Sequence, residues 1–300
     1  MKHFLKLTDY TTDELLELLD LADQLKTENK KGIKHHVLAG KTLGMIFQKS
    51  STRTRVSFEV GMAQLGGHAL FLSSRDLQIG RGEPIQDTAR VLSRYLDGIM
   101  IRTFAQQDVE DLAAYGSIPI INGLTDYAHP CQVLADLMTI REHKGALKGL
   151  KLCFVGAGNN MANSLIAGCV KMGMPVAIAC PKGYEPDEAL VAWGKESGLL
   201  TVGQDILALA KDADVLYTDV WASMGEEGEA EERAKAFANY QVNDAVMAVA
   251  KKDSMVLHCL PAHRGEEITN EVMEAHADEI FDEAENRLHA QKAILVKLMK

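Results

Sequence analysis

The chain has 300 residues, of which 47% are hydrophobic and 25% charged, and its formal net charge is −10 at pH 7. A chain of this length can bury the cores of about two globular domains. The acidic balance argues against nucleic acid and anionic membranes as partners, and no apolar run approaches the roughly 18 residues that a membrane span needs.

The cysteines bear on the compartment. There are five, an odd number without the spacing of a disulfide framework, which favours a reduced, cytoplasmic setting. The first residues, interrupted early by acids, also lack the continuous apolar core of a secretory signal.

In the first half of the chain, predicted helices alternate with predicted strands. A capping-box pattern at Thr11 and Glu14 opens a helix that carries leucines on one face. Strands follow at 41–47 and 98–104 and in the segments HALFLS and SIPIING, with helices at 55–65, 84–96, 108–115 and 129–143. This alternation predicts parallel βαβ units.

The same rhythm restarts in the second half. Strands are predicted in LKLCFV, in PVAIAC, at 214–221 and at 254–261, and helices in NNMANSLIAGCVKMG, in DEALVAWGKESG and at 283–299. The acidic run 225–233 is predicted to be a solvated or mobile loop. We therefore predict an α/β fold of two doubly wound parallel-sheet domains, 1–130 and 147–283, joined by interdomain helices, of which 131–146 is one.

Cations and hydroxyls concentrate in QKSSTRTR, where a predicted strand ends and a helix begins. A helix N-terminus favours an anion, Ser51, Thr52 and Thr54 add hydroxyl donors, and Arg53 offers a planar fork that suits phosphate oxygens. The glycines of a Walker-type loop are absent, which disfavours a nucleoside triphosphate. The alternative is helix capping with solvated basic residues.

Two further segments place donors at neighbouring strand ends. Arg102 lies near the carboxyl end of a strand, and His129 and Gln132 lie at the start of a helix, about one turn apart. Each signal is weak alone, because a single histidine is more often structural. Together they strengthen the prediction of a phosphate site.

The second half contains VGAGNN, a weak dinucleotide signal. Met161 stands where the third glycine of the fingerprint belongs, and the next strand ends in Cys180 without an acid. Asn159 and Asn160 suit an amino-acid carboxylate or ammonium better than a pyrophosphate. Asp219 follows a strand and could hold an ammonium group or cap a turn.

The segment HCLPAHRGEE also begins at a strand end. His258 and Cys259 are strand neighbours that point to opposite faces, so a shared metal is disfavoured. Cys259 remains open to three interpretations: a nucleophile paired with a histidine, a polar contact, or a buried small residue.

Several of these segments, in this order, resemble the aspartate/ornithine carbamoyltransferase family, and its ornithine branch in particular. SSTRTR and HPCQ are similar to the carbamoyl-phosphate motifs, DVWASMG and HCLPAHRGEE to the pair that marks the ornithine branch, and EAENRLHAQKA to the C-terminal helix. Cys131 departs from the isoleucine or threonine common at its position. The resemblance implies transfer of a carbamoyl group from carbamoyl phosphate to L-ornithine, giving L-citrulline and phosphate in arginine metabolism.

The resemblance also implies residue roles and an assembly. Domain 1–130 would bind carbamoyl phosphate, with the helix 284–300 packing back on it, and domain 147–283 would bind ornithine. The implied carbamoyl-phosphate ligands are Ser51, Thr52, Arg53, Thr54, Gln78, Arg102, His129, Gln132, Cys259, Leu260 and Arg287. The implied ornithine ligands are Asn160, Asp219, Ser223 and Met224. Arg102, His129 and Cys259 would be catalytic, and Gln78 would come from a neighbouring subunit of a homotrimer or a multiple of trimers.

No cofactor and no metal are expected. The alternatives are a related carbamoyltransferase that takes aspartate, putrescine or N-acetylornithine, a nicotinamide dehydrogenase, a cysteine hydrolase and a non-catalytic binding protein. The direction of the reaction in metabolism, regulation and the source stay open.

Overall fold

The structure is a computed structural model that describes residues 1–222 and 227–300. The chain divides into two compact units. The first comprises Met1–Met138 together with Asn286–Lys300, and the second comprises Thr139–Glu285. Each contains a parallel sheet flanked by helices, which confirms the predicted two-domain α/β class.

The first unit is built on a four-stranded parallel sheet in the order β2-β1-β3-β4. Its strands are β1 (Thr42–Phe47), β2 (His68–Ser73), β3 (Gly98–Arg102) and β4 (Ile120–Leu124). Its helices are α1 (Thr12–Lys30), α2 (Thr52–Gln64), α3 (Ile85–Leu92), α4 (Gln106–Tyr115), the first residues of α5 (Pro130–Lys144) and the last residues of α12 (Ala277–Met299). Because β1 lies beside β3, the chain reverses its direction of travel across the sheet between these two strands.

The C-terminal residues of α12 pack within the first unit. Lys292, 1% exposed, donates from Nζ to Gln64 on α2 at 2.9 Å, and its stem lies against Gly61. Lys26 on α1 donates to Asn286 at 2.8 Å. The pKa of Lys292 is lowered by burial. The last part of the chain is therefore held to the helices that cover the first sheet.

The second unit has a five-stranded parallel sheet in the order β7-β6-β5-β8-β9. Its strands are β5 (Leu152–Val155), β6 (Val176–Ala179), β7 (Leu200–Gly203), β8 (Val215–Thr218) and β9 (Met255–His258). Its helices include α6 (Asn160–Lys171), α7 (Glu188–Glu196), α8 (Ile206–Ala210), α9 (Ala230–Phe237), α10 (Asp244–Val249) and α11 (Asn270–Ala275). Here the reversal falls between β5 and β8.

Two segments differ from their predictions. The acidic run 225–233 is not a loop throughout, because Glu227–Glu229 form a 3-10 turn and α9 starts at Ala230; residues 225 and 226 lie outside the described part. The C-terminal helix begins at Ala277 rather than near 283. Among the described residues, none of the helices is both long and apolar enough to cross a membrane.

Candidate active site

The reversal point of the first sheet collects the predicted anion ligands. In doubly wound sheets, ligands bind outside the carboxyl ends of the strands where the strand order reverses. Phe47 of β1 pairs with Arg102 of β3, and the main-chain N–H of Gln48 donates to the Arg102 carbonyl at 2.9 Å. The cation-hydroxyl segment and the Arg102 side chain therefore leave adjacent strand ends.

The cation-hydroxyl segment forms the N-terminus of α2. Ser51 is the N-cap, and its hydroxyl accepts from the Thr54 main-chain N–H at 3.2 Å. Thr52 and Arg53 are exposed in the first turn, whereas Thr54 is buried. The Ser51 cap therefore does not exclude the predicted anion site, because it uses one hydroxyl and leaves the other side chains of the first turn for a ligand.

Thr54 and Gln132 both bind Arg287. The Arg287 guanidinium donates from Nη1 to Gln132 Oε1 at 2.6 Å and from Nη2 to Thr54 Oγ1 at 3.1 Å. Gln132 in turn donates to Asp136 at 2.8 Å. The Nε atom of Arg287 is buried and finds no acceptor among the described residues. Two of the five N–H donors of the guanidinium are used in these bonds, so the arrangement fixes a buried cation with donors left for an anionic ligand.

His129 belongs to the same group. It is 5% exposed, and burial together with the charges of Arg287 and Arg102 holds its pKa well below the ordinary value of 6.5. The imidazole is therefore neutral near pH 7 and presents one N–H donor and one acceptor. Arg102, 8% exposed, is the second buried guanidinium of this group.

Lys49 has a different place from the one its sequence neighbours suggest. It is 8% exposed, pairs with the Asp126 carboxylate, and lies 4.4 Å from the centre of the Phe104 ring. Sequence reasoning counted Lys49 with the other cations of its segment, because an ion pair with a residue in the β4–α5 loop has no signal in the sequence. Gln78 lies exposed on a 3-10 helix, Gln78–Arg81.

The predicted ornithine ligands that the structure describes lie at the reversal point of the second sheet. Asp219 follows β8 and is 7% exposed. Its Oδ2 accepts from Asn159 Nδ2 at 3.0 Å, and its Oδ1 accepts from the Cys259 thiol at 3.0 Å and the Val220 N–H at 2.8 Å. Asn160, 8% exposed, is the first residue of α6. Ser223 and Met224 lie outside the described residues.

The start of α6 is unsuited to a pyrophosphate. Asn159 is the N-cap, and its Oδ1 accepts from the N–H groups of Met161 and Ala162, which are the donors a dinucleotide would use. A Cβ at Gly158 would meet the main chain of Glu185 and Pro186 at 2.1–2.2 Å. Chain backbone therefore fills the approach that a dinucleotide would need, and the dehydrogenase interpretation is disfavoured.

Cys259 is not paired with His258. The imidazole Nδ1 accepts from the Leu260 N–H at 2.9 Å, so Nε2 carries the proton and donates to Glu267 Oε1 at 2.9 Å. Both ring nitrogens are thus engaged away from the thiol, which itself donates to Asp219. This geometry disfavours a histidine-activated thiolate nucleophile and supports the polar-contact interpretation of Cys259.

Leu260 has a left-handed backbone with φ of 57°, an arrangement that is costly for a branched side chain. The hydrogen bond from its N–H to His258 stabilises this conformation. Sequence reasoning missed Glu267 as the residue that orients His258. Its position in the same motif was visible, but the turn that brings it back to the imidazole was not.

One group of described side chains has the character of metal ligands. Atoms of His263, Glu266 and Glu267 lie within 4.8 Å of one another. The first two are exposed, and Glu267 already accepts hydrogen bonds from the His258 ring and the His263 N–H. These hydrogen bonds explain the position of the buried Glu267 carboxylate without a metal ion.

Comparisons with known proteins agree with this geometry. The family model described as the carbamoyl-P binding domain of aspartate/ornithine carbamoyltransferase matches residues 2–142, and the one described as the Asp/Orn binding domain matches residues 148–298. A relative named ornithine carbamoyltransferase from Pelobacter propionicus is 58% identical over 300 residues, which cover 99% of this chain and 98% of the relative.

Solved structures give the same result. Ornithine carbamoyltransferase from Pyrococcus furiosus superposes with a TM-score of 0.95 at 55% identity, covering 99% of this chain and 97% of that one. The anabolic ornithine carbamoyltransferase from Campylobacter jejuni gives a TM-score of 0.93 at 43% identity, with 99% of both chains covered. The chain belongs to the aspartate/ornithine carbamoyltransferase family.

Proposed function

We propose that the protein transfers the carbamoyl group of carbamoyl phosphate to the side-chain amine of L-ornithine, yielding L-citrulline and phosphate in arginine metabolism. The observation that carries the proposal is the group of Arg102, His129 and Arg287 at the reversal point of the first sheet. Two buried guanidinium groups and a neutral imidazole form a site for a small dianion. Relatives at this identity carry the same name over their full length.

The proposed ligands of carbamoyl phosphate lie mostly in the first unit. The first turn of α2, with Ser51, Thr52, Arg53 and Thr54, holds the phosphate. Arg287 binds the same ligand through guanidinium N–H groups not used by Gln132 and Thr54. Gln132 and His129 hold the carbamoyl end, and Arg102 faces the carbamoyl oxygen. We also propose Cys259 and Leu260 as ligands of carbamoyl phosphate.

The proposed ligands of ornithine, the carbamoyl acceptor, lie in the second unit. Asn160 and Asp219 bind the amino-acid groups of ornithine, together with Ser223 and Met224. The Asp219 carboxylate and the Cys259 thiol, already 3.0 Å apart, orient the attacking amine. A lysine-like free amine has a pKa of about 10.4, so binding must favour its neutral form, and desolvation of the bound amine acts in that direction.

In the proposed reaction, the neutral amine attacks the carbamoyl carbon and negative charge grows on the carbamoyl oxygen. Arg102, His129 and Thr54 stabilise that charge as an oxyanion hole does. The C–O bond to phosphate then breaks, and the departing phosphate takes the amine proton. Neutral His129 serves as a donor here, which agrees with its lowered pKa.

The test is a citrulline assay on the purified protein with carbamoyl phosphate and three acceptors offered separately: ornithine, putrescine and N-acetylornithine. Turnover with ornithine and little with the other two is expected. Preferred turnover of putrescine or N-acetylornithine would replace the proposal with the related carbamoyltransferase. Absence of carbamoyl-phosphate binding in calorimetry would refute both.

We further propose that the chain assembles as a homotrimer or a multiple of trimers, with Gln78 reaching a neighbouring subunit's site. Support comes from the exposed apolar side chains of Val56 and Val60 on α2 and of Leu70 and Phe71 on the edge strand β2. Arg55 lies over the Phe71 ring at 3.8 Å, so the helix and strand parts adjoin. Exposed apolar surface of this kind is typical of an interface.

We propose a cytoplasmic location, and the support for it comes from the cysteines. All five lie in the described part of the chain and are free thiols, which suits a reducing compartment.

A further inference from the structure

The edge strand β9 is covered by carboxylates of α12. Glu279 Oε2 accepts from the Val256 N–H at 2.9 Å, and Glu283 Oε2 accepts from the His258 N–H at 2.8 Å. The two glutamates are four residues apart and therefore lie on one side of the helix. Alternate outward N–H groups of the strand are thus satisfied by side chains rather than by another strand.

Both glutamates make a second contact, but with different partners: Glu279 Oε2 also pairs with the His276 ring Nδ1 at 2.7 Å, whereas Glu283 contacts a side chain of β8. Its Oε1 accepts from the Tyr217 hydroxyl at 3.0 Å, and both side chains are fully buried. Tyr217 lies on β8 two residues before Asp219, and His258 ends β9 one residue before Cys259. One carboxylate therefore bridges the ends of the two strands that deliver Asp219 and Cys259.

We propose that Glu283 is a positioning residue for the acceptor site, a role that rests on the proposed function. By fixing the end of β9 against β8, the Glu283 carboxylate sets the separation of Asp219 and Cys259. That separation is the 3.0 Å hydrogen bond from the thiol to the carboxylate, which orients the amine. Misplacement of such groups is costly to catalysis even when its source lies outside the site.

Glu283→Met removes both acceptors at similar side-chain size, and Glu279→Met is the matched control. Both changes leave a β9 N–H without its carboxylate, so both are expected to lower the stability of the second unit. Glu283→Met is expected to reduce kcat/KM for ornithine about tenfold, because the buried His258 N–H and Tyr217 hydroxyl lose their acceptor beside the site. Its KM for carbamoyl phosphate is expected to change less than its kcat/KM for ornithine, because most proposed ligands of carbamoyl phosphate belong to the first unit. For Glu279→Met, kcat/KM for ornithine and KM for carbamoyl phosphate are expected to stay within about twofold of wild type.

Two milder variants give a graded series. Glu283→Gln keeps an oxygen acceptor for His258 and is expected to recover kcat/KM for ornithine to within about threefold of wild type. Tyr217→Phe removes only the hydroxyl that holds Oε1, and we expect an effect of about threefold. If Glu283→Met does not fold, these two variants test the positioning role of Glu283: wild-type kcat/KM for ornithine in both would contradict it.

A second readout does not depend on turnover. Four of the five cysteines are buried, and Cys259 is the partly exposed one, so iodoacetamide reports on Cys259. Its alkylation is expected to be about threefold or more faster in Glu283→Met than in Glu279→Met, because the thiol is less firmly held by Asp219.

The outcomes separate the two proposals. If wild type makes no citrulline but alkylation follows the expected order, the proposed function fails and the positioning role survives. If wild type is active and Glu283→Met matches Glu279→Met in both kinetics and alkylation, the positioning role is wrong. Equal loss of affinity for both substrates in Glu283→Met would likewise indicate general structural damage and overturn it.

Discussion

Arg102 tests the proposed chemistry at a single residue. It is a buried cation at the end of β3, and its charge acts on His129. Arg102→Ala is expected to lower kcat by about 10²–10³-fold, the usual cost of removing one oxyanion donor. Steady-state kinetics with both substrates saturating measures this, and Arg90→Ala, which removes an exposed arginine paired with Asp87, is the control. Unchanged turnover would contradict the assigned role.

His129 predicts a pH dependence of stability. Its pKa is lowered in the folded state, so below the ordinary value of 6.5 the unfolded chain binds a proton that the folded chain does not. The histidine's share of stability is therefore complete above that value and is lost as the pH falls below it. Urea unfolding at about pH 7.5 and about pH 5 should show a smaller loss on acidification in His129→Asn than in wild type. Exposed His68→Asn serves as control, and equal losses in all three proteins would contradict the expectation.

Residue identities were predictable only where a motif lies in one stretch of sequence. Thr54, Arg102 and His129 follow strands or open helices, so the βαβ pattern indicated a shared edge. Arg287 is 155 residues from Gln132, and only the family resemblance suggested that the C-terminal helix brings it to the carbamoyl-phosphate ligands. Glu283 opens the EAENRLHAQKA segment that carries the resemblance, but nothing in the sequence indicated its hydrogen bonds with the His258 N–H and the Tyr217 hydroxyl, because these partners are 25 and 66 residues away.

At the level of elements, strong periodicity gave reliable predictions. The capping box at Thr11 and Glu14 is present, with the two hydrogen bonds expected of it. The helix predicted from 55 begins three residues earlier, at Thr52, because the Ser51 cap outweighs the polar composition of that turn. The strand β7 and the short helices α8, α10 and α11 escaped prediction, since four to six residues carry too little periodicity to be recognised.

The turn from β5 to α6 supplies a prediction at this level. At Gly158 an added Cβ would approach main-chain atoms that cannot rotate away. Gly158→Ala is therefore expected to destabilise the second unit by about 1–3 kcal/mol, as overpacking does. It should also raise the KM for ornithine, because Asn159 and Asn160 follow directly. At Gly203 an added Cβ would make an ordinary 3.4 Å contact, so Gly203→Ala is the control. Chemical denaturation measures both, and equal stability of the two variants would contradict the expectation.

At the scale of the whole molecule, alternation of strands and helices predicted two parallel sheets but not their strand orders. The orders β2-β1-β3-β4 and β7-β6-β5-β8-β9 locate the two reversal points and hence both ligand groups. Strand order depends on which crossovers pack onto which face, and that is decided by contacts distant in sequence. The sequence alone therefore could not show that the carbamoyl-phosphate ligands lie together in the first unit, or that the ornithine ligands lie together in the second.

The proposed assembly gives the last prediction. Val56 is 51% exposed on α2 and belongs to the apolar face that adjoins β2. If that face is buried between subunits, Val56→Glu places a charge in an apolar interface and should dissociate the oligomer. Light scattering after size exclusion should give about three times 32.9 kDa, or a multiple of that mass, for wild type and a single-chain mass for the variant. Leu207→Glu, at a site 46% exposed in the second unit, should leave the mass unchanged. A wild-type mass of one chain would refute the trimer, and an unchanged mass for Val56→Glu would place the interface elsewhere.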